Sequence, residues 1–291
     1  MKKILSLLIL ALLSISLFAQ EEEDYPVGYT FEAGLLIDNQ TIMTPYKGGI
    51  EFQIHHRMGY LKDGLGNLYG LYSPSNIRLG LNYGITDNIM VGFGTTKDTK
   101  MTDVQVKYAF LKQTESGKVP VSITYYGNAA IDARDQSTGV FGPDTSFRFI
   151  HRISYFNQLI IARKFSDAVS LQVAPTLIYF NSVERGYKNL NYGIHAGGKV
   201  TFAMSHSIIF EFDHTFSQPD TDPDGDGEDN FGKTKPQIAI GWEKSTPTHG
   251  FQLFFANYKG ILGQRNFVYN QNDFAMGLHG YIVGFNITVR F

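Results

Sequence analysis

Tyr281-Ile-Val-Gly-Phe-Asn-Ile-Thr-Val-Arg-Phe291 ends the chain, and its alternation decides the fold. Tyr281, Val283, Phe285, Ile287, Val289 and Phe291 fall at every second position, and Gly284, Asn286, Thr288 and Arg290 fill most of the places between them. A strand turns successive side chains to opposite faces, so one face here is apolar and the other mostly polar. Such a strand, ending on an aromatic residue, predicts the closing, membrane-inserted strand of an outer-membrane β-barrel. The partners it implies are outer-membrane lipid and the barrel-assembly machinery.

The other end agrees. Met1-Lys2-Lys3 is a short basic region, and the apolar run from Ile4 to Phe18 is broken only by Ser6, Ser14 and Ser16. Ala19-Gln20 then precedes the acidic run Glu21 to Asp24. This three-part pattern predicts a signal peptide over residues 1–19, with Gln20 near the mature amino-terminus. Absence of Cys excludes a lipoprotein anchor and a disulfide framework. Two of the 25 basic residues, Lys2 and Lys3, lie in the leader, which leaves the remainder net acidic against 27 carboxylates. That balance is no nucleic-acid footprint. Past the leader no apolar run reaches the length of a spanning helix.

The rest of the chain reads as twelve strands, at about 49–57, 75–84, 89–95, 103–111, 119–127, 155–164, 169–180, 192–202, 208–216, 237–243, 251–258 and 281–291. Their connections sort by length. Links 86–88, 112–118, 165–168, 203–207 and 244–250 are short, whereas 58–74, 128–154, 181–191, 217–236 and 259–280 are long, and 96–102 is a short exception. One trimmed rim and one elaborate rim predict an antiparallel transmembrane barrel over residues 48–291, with both termini and the short turns in the periplasm. A soluble sandwich has no reason to keep one rim short.

Several stretches carry a family resemblance: His55-His-Arg-Met-Gly59, Asn76-Ile-Arg-Leu-Gly-Leu-Asn-Tyr-Gly-Ile-Thr-Asp87, Met90-Val-Gly-Phe-Gly94, Thr248-His-Gly-Phe-Gln-Leu253 and Gly284-Phe-Asn-Ile287. Together they resemble a family of outer-membrane β-barrels from Gram-negative bacteria, known as a domain of unknown function. The resemblance covers most of the chain after about residue 30. Met58 stands where the family pattern carries an aromatic, and the acidic stretch near Asp220 is peculiar to this chain. The resemblance implies a barrel and carries no substrate or reaction.

Phasing each strand with its apolar face to lipid turns Glu51, His55, Arg57, Arg78, Lys107, His195, Lys199, Glu211, Asp213, Glu243 and Arg290 into the lumen. Two readings follow. The charges form a constriction that selects small solutes, or they form an ion-pair network that fills a narrow barrel. Residues 20–47 have mixed patterning. They form a plug in the lumen, a cap on the periplasmic mouth, an extra short strand or an ordered periplasmic tail.

Asp220, Asp222, Asp224, Asp226, Glu228 and Asp229 crowd one long loop, and Gly225 and Gly227 permit the turns that a Ca²⁺ site needs. The first half of a calcium-loop spacing is present, but the second half fails at Phe231, so a solvated acidic loop is the plainer reading. His55 and His56 are neighbours and point to opposite strand faces, so they cannot share an ion. His206 and His249 sit at turns, and no nucleophile motif accompanies any histidine. A small-solute channel without a resident cofactor therefore leads. A plugged interaction barrel acting through its long loops comes second, and a barrel hydrolase third.

Overall fold

The computed structural model describes residues 24–136, 141, 146–225 and 232–291. The leader, Gln20, Asp226, Glu228 and Asp229 lie outside the described residues. The described residues form twelve strands: β1 (Ile50–Tyr60), β2 (Asn76–Thr86), β3 (Ile89–Thr96), β4 (Met101–Leu111), β5 (Ser122–Asp132), β6 (Ile153–Lys164), β7 (Val169–Phe180), β8 (Leu190–Ala203), β9 (His206–Thr215), β10 (Gln237–Ser245), β11 (His249–Ala256) and β12 (Ile282–Arg290). A short helix, α1 (Gly263–Tyr269), lies in the link between β11 and β12.

Each strand pairs antiparallel with its successor, and β1 pairs with β12, so the sheet closes. The closing register sets Glu51 opposite Arg290 and Ile54 opposite Ile287. Beyond it, the Phe291 N–H donates to the Ile50 carbonyl at 2.9 Å. Closure matters because hydrocarbon offers no partner for an open sheet edge.

Several strand ends differ from expectation, two of them for clear local reasons. β5 starts at Ser122 rather than near Val119, because Pro120 has no N–H for a ladder. It runs on to Asp132, pairing with β4 up to Asp132 and with β6 up to Ile131. β11 stops at Ala256: the Asn257 N–H still donates to the Ile238 carbonyl at 3.2 Å, but the Asn257 side chain takes the Ile238 N–H at 2.8 Å in place of the backbone carbonyl.

The outer face is an apolar belt. Leu79, Leu81, Phe93, Val104, Leu171, Val173, Ile240, Leu253 and Phe255 are all exposed on it. Water does not tolerate a continuous apolar surface of this kind on a soluble monomer, whereas lipid does. The inner face is mostly polar, but Phe156, Ile160, Ile178, Ile209, Phe254 and Ile282 are buried there too. They pack with Phe31, Leu36, Ile37 and Ile42, from the segment before β1, and with Phe267 of α1. The lumen therefore holds an apolar core beside its charges.

Candidate functional site

The site is the seam between the inner wall and residues 31–43. That segment has almost no regular structure of its own. A single bridge, Leu35 to Gln40, folds it into a tight loop, and Leu36 donates to the Asn39 carbonyl at 2.8 Å. At the tip three successive N–H groups converge on one wall carboxylate. Ile37, Asp38 and Asn39 donate to Glu211 Oε1 at 2.8, 3.1 and 2.9 Å. A turn of aligned N–H groups is a concave anion site, and here a side chain of β9 occupies it.

The neighbouring inward position on β9 extends the latch. Asn39 Nδ2 donates to both oxygens of Asp213, at 3.2 and 3.0 Å. Asp213 also bonds His195 Nδ1 at 2.7 Å. Gln172 Nε2 reaches His195 Nε2 at 2.9 Å and the Gln40 carbonyl at 3.0 Å. If Gln172 donates, the Nδ1 proton faces Asp213. Across the lumen Arg57 pairs with Asp38, donates to Asn286 at 2.9 Å, and lies over the Phe254 ring at 4.5 Å. Asn286 in turn donates to the Ile37 carbonyl at 2.8 Å.

Lys107 completes the grip from β4. Its fully buried ammonium donates to the Gly34 carbonyl at 2.9 Å and the Met43 carbonyl at 2.8 Å. Lys199 reaches Glu32 at 2.6 Å, and Arg290 donates to the Glu32 carbonyl at 2.6 Å. Outside the lumen, Ser116 in the β4–β5 link holds Asp24, hydroxyl to carboxylate at 2.5 Å. Hydrogen bonds from Ser116, and then Thr114, hold the Asp24 carboxyl below the usual aspartate value.

Other charges tie the wall to itself. Arg78 grips Asp103 through two bonds, of 3.0 and 2.6 Å, and Asn128 adds a third at 2.9 Å. Gly80 and Gly94 flank Arg78, and a side chain at either would occupy the space of its guanidinium. Glu51 accepts from Gln53 at 2.6 Å and faces Arg290 at 3.8 Å. Glu243 accepts from Gln252 at 2.9 Å. His55 is 3 % exposed, and neither ring nitrogen has a hydrogen-bond partner among the described residues.

All eleven residues assigned to the lumen thus sit on the inner wall, but they do not form one ring. Six engage residues 31–43, and Arg78 and Glu243 serve wall contacts. Asp38, Asp103 and Glu32, not among those assignments, prove to be the main partners. Asp103 was findable, since it lies four residues before Lys107 on one strand and so shares its face. Asp38 and Glu32 had no such signal.

The histidines do not converge. His56 turns outward and stacks on Phe285 at 4.7 Å, His206 stacks on Trp242 at 5.5 Å, and His249 stacks on Phe251 at 5.9 Å. In the acidic loop Asp222 accepts from the Gly225 N–H at 2.9 Å, and Arg185 approaches Asp224 at 3.8 Å. Among the described residues no group of three His, Cys, Asp or Glu side chains is arranged to hold a metal ion.

No curated protein matches the chain in sequence. Among solved structures, the NanC porin is 8% identical, with 83% of this chain and 98% of that one covered, at a TM-score of 0.50. The COG4313 outer membrane channel from Pseudomonas putida F1 is 12% identical, with 88% and 100% covered, at 0.49. The KdgM porin is 9% identical, with 84% and 98% covered, at 0.45. At such identity the NanC likeness speaks to fold alone, that of a closed barrel. Residues 31–291 match the model of the family described as membrane bound beta barrel domain (DUF5777), and the chain belongs to that family of the Gram-negative outer membrane.

Proposed function

We propose that this protein is an outer-membrane channel for small polar solutes, closed in the present structure by residues 31–43. The observation that carries the reading is the way the segment is held. Its loop is not a strand of the wall. It hangs on replaceable polar contacts, with Glu211, Asp213, Arg57 and Lys107 as wall partners. Each of these wall groups would find water if the loop moved, so opening exposes charges that water solvates well. Buried ion pairs are also weak contributors to stability, and apolar side chains of similar volume often serve as well. Their presence supports a path that is wet when open.

The test is single-channel recording of the full chain in planar bilayers, for the natural protein and for the double variant Glu211→Gln/Asp213→Asn. The natural protein should open briefly and rarely, and the variant should open more often. No current from either protein, with normal heat-modifiable gel mobility, would overturn the channel.

A second reading has its own observation. Phe31, Leu36, Ile37 and Ile42 bury apolar surface against the wall and α1, which favours a permanently plugged barrel acting through its long links. Silent bilayers would favour it.

A further inference from the structure

A second site lies at the rim opposite the termini. There a cavity of about 300 Å³ opens between the ends of β1 and β3 and the link that carries α1. Its lining includes Tyr60, Thr96, Asp98, Lys259, Arg265 and Tyr269. The volume is at the small end of ligand pockets, roughly 300–1,000 Å³.

Two groups there are unspent. Thr96 is only 4 % exposed, and its hydroxyl has no hydrogen-bond partner among the described residues. A buried polar atom without a partner is uncommon and points to a missing one. Arg265 is half-buried on α1, with its guanidinium 4.0 Å from the centre of the Tyr269 ring. Among the described residues its guanidinium makes no hydrogen bond, and no carboxylate comes within 4 Å. Stacking on Tyr269 holds the planar fork in place without using its N–H donors. Lys259 adds a second cation, its ammonium donating to the Pro74 carbonyl at 2.8 Å, so positive groups outnumber Asp98. The Tyr60 hydroxyl accepts from Asn272 at 2.9 Å and keeps its own proton to donate.

We propose that this cavity binds a small carboxylate that bears neighbouring hydroxyl groups, a hydroxy acid or sugar acid. The carboxylate takes the Arg265 fork, which suits two parallel N–H···O bonds. A hydroxyl takes Thr96, and the aromatic rings cover the ligand's C–H faces. The site lies at the mouth, apart from the loop of residues 31–43, so it captures solute whether or not the lumen is open.

Calorimetric titration of the full-length protein in detergent tests this with D-glucuronate, against D-glucose, which has no carboxylate, and acetate, which has no hydroxyls. Glucuronate should bind roughly tenfold more tightly than either, the scale of charged hydrogen bonds. Arg265→Gln should remove that advantage and Arg265→Lys only part of it. Thr96→Val should weaken binding by a few-fold. Each variant is first checked for normal heat-modifiable mobility. The proposal is overturned if glucuronate binds no better than glucose, or binds the natural protein and Arg265→Gln alike. A barrel that binds glucuronate but stays silent in bilayers fails the channel reading alone. One that conducts but binds no glucuronate fails this proposal alone.

Discussion

The barrel wall and the loop it encloses are built on opposite principles. The wall is a continuous backbone ladder that closes from β12 onto β1, and its side chains decide which face meets lipid and add ties such as Arg78 to Asp103. Residues 31–43 have one isolated bridge, and wall side chains determine their course. The wall is thus specified locally and repeatedly, while the loop is specified by a few contacts distant in sequence. Asp38 and Asn39 meet partners more than 170 residues away on β9. A backbone ladder stays in place when one side chain is lost, even at a cost in stability, whereas a loop hung on few contacts can come free.

The sharpest way to separate the two regions is to remove one arginine from each. Arg78 joins wall to wall, and Arg78→Ala leaves the Asp103 carboxylate buried and unpaired. Breaking a buried pair this way costs about 3–5 kcal/mol. Urea unfolding in lipid vesicles should show the loss, and an unchanged midpoint would mean the pair is structurally idle.

A charge on the lipid face comes next. Leu253→Arg, Val106→Arg and Leu171→Arg each place a cation against hydrocarbon, at about 2–4 kcal/mol near the midplane. Thr201→Arg, on the inner face where Thr201 meets Ser207 at 2.9 Å, should be milder. Gel mobility after refolding reads the difference, and equal damage from both faces would break the phasing of the wall.

Arg57→Ala addresses the loop instead. It frees Asp38, and the loop can then carry that carboxylate to water. Barrel unfolding should change less than in Arg78→Ala, while limited proteolysis within residues 31–43 speeds up. Equal unfolding in both variants, without new cleavage, would show the loop to be as fixed as the wall.

The smallest effect belongs to Asp24. Its carboxyl is held low by Ser116, so the contact is present above the ordinary aspartate range and fades as pH falls through the lowered value. Asp24→Ala should leave barrel unfolding unchanged at neutral pH. Proteolytic trimming near residue 24 should quicken in the variant, and in the natural protein only in acid. Trimming independent of both pH and the variant would show that Ser116 does not tether the segment.

The amino-acid sequence by itself determined the strand count, the closure and the face of most strands. Period-2 alternation in stretches such as Ile287 to Phe291 is a local signal, and most strands repeat it, though β6 does not. It also placed Lys107, His195 and Glu211 inside, because parity alone assigns a face once the neighbours are apolar. Tertiary structure decided what those charges do. Ile37-Asp38-Asn39 carries no period, and its three N–H groups acquire meaning only when Glu211 stands before them. Phe156, Ile160 and Phe254 look misplaced on an inner face until Phe31, Leu36 and Phe267 pack against them. The physical reason is the range of the interactions. A strand's facing is settled within a few residues, whereas the partner of a buried charge or ring is settled only when distant segments share one closed lumen.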